Sequence, residues 1–300
     1  MTTEVMDDRY SRLDLQSTRE VLGHLLESQM RAVGCIASCM DELVLAVDAA
    51  ALKLAEQRSR LVMVGAGASG RIAVQDGAEL WPTYGWPAER LVLQIAGGPQ
   101  ALLSSMDGIE DNCEDAAQCI KRIGLHGLDV VVAVAASGRT PWTCRWLQEA
   151  NRVGALAIGI SNNSDTPLLE LAGIGLYLDS GAEVLAGSTR MAAGTAQKAV
   201  LNLFSTTLMV RLNRTYGNLM VDMAAVNSKL DSRRLTMLQA VVGQLDEVAA
   251  GRFLQQAGGN VKLACLLARG VPRDEATSML ELYKGSLRTA LLKLESNSFN

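Results

Sequence analysis

Leu61-Val62-Met63-Val64-Gly65-Ala66-Gly67-Ala68-Ser69-Gly70-Arg71 decides how the chain is read: an uninterrupted apolar run enters a glycine turn and leaves it as a helix. The arrangement returns at Val130-Val131-Val132-Ala133-Val134, which feeds Ala136-Ser137-Gly138-Arg139-Thr140-Pro141. Apolar runs without alternation are what a parallel sheet covered on both faces produces. A tight turn from such a strand into a helix aims backbone N–H groups, small hydroxyls and the positive end of the helix dipole at one point. An anion is what such a point binds. In the second turn Pro141 takes the first helical position and has no N–H, so Gly138, Arg139 and Thr140 are left to supply the backbone donors. Capping by Thr140 alone would explain that turn; its pairing with the first one favours a ligand.

Working outward, strand signals fall at Leu61 to Val64, Leu91 to Ile95, Asp129 to Ala135, Ala155 to Ser161 and Ile174 to Leu178. Helical patterns alternate with them near Ser69 to Glu79, Gln100 to Met106, Glu114 to Ile123, Pro141 to Val153 and Thr166 to Leu171. This predicts an α/β fold with a doubly wound, mainly parallel sheet. Ahead of it, Ser17-Thr18-Arg19-Glu20 is a capping box for a helix whose apolar face holds Leu22, Leu25, Leu26 and Met30. A second helix is expected from Val33 to about Glu56. After Gly187 the pattern turns helical, with a long helix capped by Ser188 and running toward Arg214, and another over Val226 to Val248. Three short helices follow, opened by Asn260, Pro272 and Ser286. The expected organisation is a helical segment over 1–57, a sheet domain over 58–225 and a helical region over 226–300, with its trio at 260–295.

Composition excludes several functions. The net charge is −4 over 300 residues, with no basic block, which argues against a nucleic-acid partner. No apolar stretch reaches membrane-spanning length, and Met1-Thr2-Thr3-Glu4 opens no secretory signal. The six cysteines are scattered and read as reduced thiols of a cytoplasmic protein. Cys35 and Cys39 lie one helical turn apart, but neither of the two histidines, His24 and His126, is spaced to complete a metal site. Buried small apolar residues is the favoured reading of those cysteines. The same scarcity of histidine weakens a Ser-His-Asp or zinc hydrolase.

Gly65-Ala66-Gly67-Ala68-Ser69-Gly70 also has the spacing of a dinucleotide fingerprint. A nicotinamide site needs a carboxylate at the end of the next strand to hold the ribose. That strand ends Leu93-Gln94-Ile95-Ala96-Gly97-Gly98, without one, and a single dinucleotide leaves the second turn unexplained. A phosphosugar is the better reading.

Over almost its whole length the chain resembles the N-acetylmuramic acid 6-phosphate etherases. The resemblance lies in Gly65 to Arg71, Asp76-Gly77-Ala78-Glu79, Pro82-Thr83-Tyr84-Gly85, Ala96-Gly97-Gly98, Glu110-Asp111-Asn112, Ala135 to Pro141 and Gly159-Ile160-Ser161. It continues through Glu183-Val184-Leu185-Ala186-Gly187-Ser188-Thr189-Arg190, Ala193 to Lys198 and Gly217-Asn218-Leu219-Met220-Val221-Asp222. It implies the sugar isomerase (SIS) fold, a homodimer, no metal or organic cofactor, and a cytoplasmic role in recycling cell-wall sugars. The implied reaction cleaves the D-lactyl ether of N-acetylmuramic acid 6-phosphate to N-acetylglucosamine 6-phosphate and D-lactate. Ala68 and Trp81 depart from the family's usual Thr and Pro, which bears on phosphate binding and on the shape of the sugar pocket.

That reaction needs one carboxyl ionised and another protonated. Glu79, followed by Leu80, Trp81, Pro82 and Tyr84, has the apolar neighbourhood of an acid, and Glu110, in a polar run, suits a base. The resemblance puts the family's acid and base on these two. Without it, both would read as ordinary surface charges. Candidate substrate ligands are Ser69, Gly70, Arg71, Ser137, Gly138, Arg139 and Thr140, with Glu183, Ser188, Thr189 and Lys198 behind them. Ser188 can equally cap a helix, Glu183 pair with Arg190, and Lys198 form a salt bridge. A non-catalytic phosphosugar-binding regulator and an aldose–ketose isomerase are the competing functions. Neither needs a matched acid and base of this kind.

Overall fold

The computed structural model describes residues 1–104, 106–224 and 228–297. The chain packs as two compact units: Met1–Ala78 with Ala88–Leu208, and Glu79–Pro87 with Met209–Asn300. The boundary expected at 225–226 and the expected helix start at Val226 lie outside the described residues.

The first unit opens with α1 (Thr18–Gly34) and α2 (Met40–Leu54), joined by a 3-10 turn over Cys35–Cys39. The capping box at Ser17 forms as expected: Glu20 N–H donates to Ser17 Oγ and Ser17 N–H to Glu20 Oε2. The helix expected from Val33 therefore begins later, because α1 runs to Gly34 and the turn intervenes. The expected apolar face of α1 is also not a core face. Leu22, Leu26 and Met30 are exposed, and Ser28 and Ala32 are what the helix buries.

Beyond them the chain alternates β1 (Leu61–Gly65), α3 (Gly67–Ala78), α4 (Leu80–Tyr84, which belongs to the second unit), β2 (Leu91–Ile95), α5 (Cys113–Ile123), β3 (Val130–Ala135), α6 (Pro141–Val153), β4 (Leu156–Ser161), α7 (Pro167–Leu171), β5 (Ile174–Tyr177) and α8 (Ala192–Arg211). All five strands are parallel, in the order β2-β1-β3-β4-β5. Every residue of β1 and β3 is buried, as central strands covered on both faces must be. One side of the core is built on Val62, Val64, Val131 and Ala133 against Trp142 and Trp146 of α6. The two indoles pack with centroids 5.6 Å apart, and Trp142 Nε1 donates to Asp115 on α5 at 2.8 Å. Each such side chain contributes about 1.5–3 kcal/mol on burial, so the amino end of α6 is firmly set.

The helix expected over Gln100 to Met106 is instead a 3-10 turn at Gly98–Leu102, and Ser105 lies outside the described residues. Gly97 and Gly98, at φ +84° and +69°, precede Pro99 and break the backbone there. In the second unit, α9 (Ser228–Val242) and α10 (Glu247–Gln256) replace the single helix expected to Val248, since Gly243 at φ +84° ends the first. Then follow α11 (Val261–Ala268), α12 (Arg273–Leu282) and α13 (Leu287–Asn297). Asn260 caps α11 through Leu263 N–H as the sequence predicts. The unit has its own core, with Leu238, Ala250, Ala264, Cys265 and Leu287 at its centre. Among the described residues, no helix is long and apolar enough to cross a membrane.

Candidate active site

Both glycine turns of the sequence stand at the carboxyl ends of neighbouring strands. β1 and β3 pair from Leu61↔Val130 to Gly65↔Val134. The chain leaves β1 toward β2 and leaves β3 toward β4, on opposite sides. This is the topological switch point of a doubly wound sheet, where the crevice between diverging connections receives a ligand.

At the first turn Gly67 has φ +51°, and a Cβ built on it would lie 2.5 Å from Glu110 Oε1. The Glu110 carboxylate thus rests against the amino end of α3, where the helix dipole favours a negative group. Glu110 itself stands in a single 3-10 turn, Ile109–Asp111, after Gly108 at φ +68°, and is exposed. Arg71 points away from the turn's mouth: its Nε donates to Ala101 O at 2.8 Å and its Nη2 to Ser104 O at 3.0 Å. The guanidinium ties the stretch that precedes Glu110 to α3. Ser69 and Gly70 are buried in the first turn of that helix.

At the second turn Gly138 has φ +62° and is wedged against Ser161 Oγ and Thr166 Oγ1, which leave no room for a Cβ. Its N–H closes onto Ala135 O at 3.0 Å, and Arg139 N–H donates to Ser137 Oγ at 3.2 Å. Of the three expected backbone donors, Thr140 alone has no acceptor for its N–H among the described residues. The Ser137 and Thr140 hydroxyls lie 3.5 Å apart, both half-buried, and the Thr140 side chain caps nothing. The Arg139 guanidinium holds Asp165 O at 3.0 Å.

Sequence reasoning missed the polar bed beneath this turn. Asn163 Nδ2 donates to Ala136 O at 2.8 Å, Asn162 N–H donates to the same carbonyl at 3.1 Å, and Gln197 Nε2 donates to Asn162 Oδ1 at 2.8 Å. All three side chains are buried. The available signal was Ser161-Asn162-Asn163-Ser164, a polar run directly after a core strand.

The remaining candidates have defined local partners. α8 starts at Ala192, four residues beyond the expected cap Ser188, because the buried Glu183 carboxylate accepts from Ala192 N–H and Ala193 N–H at 2.9 Å each. Burial pushes the Glu183 carboxyl above the ordinary carboxylate range, and the two amides oppose that shift. Ser188 and Thr189 sit half-buried in the turns before the helix. Lys198 Nζ lies 2.6 Å from Asp76 Oδ1, and Asp76 is buried.

In the second unit, Glu79 occupies the N-cap position of α4 with helical backbone and no capping hydrogen bond from its side chain. It is exposed, and Trp81 beside it keeps 48% of its surface in solvent. The apolar shelter expected from Trp81 is therefore not formed around Glu79 by that ring.

A five-stranded parallel sheet with paired anion-type turns at its switch point is the architecture of SIS-domain proteins. Residues 42–151 match the family described as glucokinase regulatory protein N-terminal SIS domain, and residues 125–207 match the SIS domain. The solved structure of an inferred phosphosugar isomerase involved in capsule formation, from Bacteroides fragilis, superposes with a TM-score of 0.52. It is 22% identical and spans 67% of this chain and 98% of its own. Within that class the chain belongs to the N-acetylmuramic acid 6-phosphate etherase family. It is 40% identical to such an etherase from Deinococcus radiodurans, over 96% of this chain and 94% of the relative. A Streptomyces avermitilis relative of the same name is also 40% identical, over 97% and 93%.

Proposed function

We propose that the protein cleaves the D-lactyl ether of N-acetylmuramic acid 6-phosphate, releasing D-lactate and leaving N-acetylglucosamine 6-phosphate. The observation that carries this reading is the 40% identity to a named etherase over 96% of the chain. The Glu110 carboxylate at the switch-point turn gives the reading a chemistry. The phosphate is received by the Ser137 and Thr140 hydroxyls, the Thr140 amide and the amino end of α6. Glu110 removes the C2 proton of the ring-opened sugar. The C3–O bond then breaks, its electron pair leaves with the lactyl oxygen, and Glu79 supplies the proton that completes lactate. Water adds at C3 of the unsaturated aldehyde and a proton returns to C2, so one water is consumed overall.

The protein works in this reading as a cytoplasmic homodimer. Its six cysteines are all free, which suits a reducing compartment. The exposed apolar side chains of α1 and α2 offer the contact surface.

The test is release of D-lactate from N-acetylmuramic acid 6-phosphate by purified protein. Glu79→Gln and Glu110→Gln each lower kcat about a hundred- to ten-thousand-fold. In deuterated water, Glu110→Gln abolishes exchange at C2, whereas Glu79→Gln spares exchange more than lactate release. Exchange retained in the Glu110 variant reverses the two roles. Replacing Ser137 and Thr140 by Ala raises KM with the fold intact; an unchanged KM puts the phosphate elsewhere.

A further inference from the structure

Within the second unit, the helix that carries Glu79 is fastened to a buried ion pair. Lys262, on α11, places Nζ 2.5 Å from Asp222 Oδ2 and also donates to Asn213 O at 2.7 Å. The side chains are 6% and 12% exposed. One ammonium therefore closes the stretch from Asn213 to Asp222 into a loop. Arg288, the second residue of α13, lies over the Tyr216 ring of the same loop at 4.4 Å.

This loop is what α4 rests on. Gly85 ends α4 in the left-handed conformation, φ +58°, with its Cα so close to Asp222 O that a Cβ would overlap that oxygen. Ala224 N–H donates to Pro82 O at 3.2 Å. Arg214, 3.6 Å from Asp222 Oδ2, donates to Gly85 O at 3.4 Å and lies over Trp86 at 5.5 Å. Glu79 stands at the other end of the same five-residue helix. So short a helix is about 8 Å long, and a tilt at Gly85 is carried directly to Glu79.

A buried ion pair is poor evidence of stability, since an apolar pair of similar volume often serves as well. What the pair does supply is direction: an ammonium shared between one carboxylate and one carbonyl fixes the loop in a single register. Burial raises the Asp222 carboxyl and lowers the Lys262 ammonium from their ordinary ranges, and their mutual attraction opposes both shifts.

We propose that Asp222 and Lys262 are positioning residues for Glu79, holding the Asn213–Ala224 loop and through it α4 in the orientation that presents the acid to the lactyl oxygen. The inference rests on the etherase reading, in which Glu79 protonates the leaving group and Glu110 abstracts the C2 proton.

The test compares the two half-reactions in Lys262→Met, Asp222→Asn and the double variant Lys262→Met with Asp222→Asn. If a single variant fails to fold, the double variant removes both charges of the pair, and the Arg214 guanidinium, a quarter exposed, keeps its bond to Gly85 O. Lactate release falls about ten- to a hundredfold, the loss expected for a misplaced catalytic group. Exchange at C2 and KM stay within about twofold of the unmodified protein. In a Glu79→Gln background the double variant costs almost nothing further, because residues acting through one group are not additive. Parallel loss of exchange and release, or a full additional loss in the Glu79→Gln background, overturns the positioning role. Unaltered lactate release in the double variant does so as well. Absence of lactate from the unmodified protein overturns the etherase reading itself, and is told apart by that control.

Discussion

At the scale of single residues, the site depends on atoms that are missing as much as on those present. Gly67 is the clearest case, because its bare Cα lets the Glu110 carboxylate lie on the backbone of the first turn. An alanine there meets two penalties: a left-handed backbone at φ +51° and a methyl 2.5 Å from Oε1. The carboxylate is the far end of a flexible side chain, so it moves and the fold survives. Gly67→Ala is therefore expected to lose at least about tenfold in C2 proton exchange through displacement of the base, with a thermal transition within a few degrees of the unmodified protein. Exchange at the unmodified rate would mean that Glu110 does not work from this position. Arg71 and Arg139 make the complementary point. Both were candidates to grip a phosphate, and both guanidiniums hold backbone carbonyls on neighbouring loops.

At the scale of elements, the start of α8 turns on Glu183. Its buried carboxylate satisfies two amides of a long helix. Removing it by Glu183→Ala leaves both N–H groups buried without an acceptor, a cost of about 2–4 kcal/mol. The variant should therefore melt several degrees lower, and a melting point unchanged within error would show that water replaces the carboxylate. This cap also shows where sequence reading stops. The five strands were legible to within about a residue at each end, because buried parallel strands write themselves as continuous apolar runs. So were both glycine turns and the caps at Ser17 and Asn260. What was not legible depends on partners distant in sequence. Glu183 reaches nine residues forward to displace the start expected at Ser188, and the bed under Ala136 is built by side chains that follow another strand. Backbone breaks at Gly97–Gly98 and Gly243 were missed for another reason: a helical composition surrounds them, and positive φ is not visible in composition.

At the scale of the whole molecule, the misread face of α1 becomes informative. Its periodicity is that of a core helix, yet Leu22, Leu26, Met30 and Val33 are 59%, 62%, 68% and 51% exposed. The same unit exposes Met40, Val44, Leu45 and Leu52 of α2, and Leu203 of α8. Scattered apolar residues on a surface need no explanation, but a stripe repeating at helical spacing along one helix does. A second copy of the chain would present the same stripe, so a twofold contact would bury both at once, as an isologous interface requires. With two changed on each protomer, four such side chains leave the contact, a cost of about 6–12 kcal/mol, which weakens association by at least roughly ten-thousand-fold. The unmodified protein is accordingly expected to sediment as a dimer at micromolar concentration, and Leu26→Glu with Met30→Glu as a folded monomer. Neither side chain supports the core, so the far-ultraviolet circular dichroism of the variant should match that of the parent. A dimer that persists in the double variant would move the interface to another face, and a monomeric parent would leave the stripe without its partner.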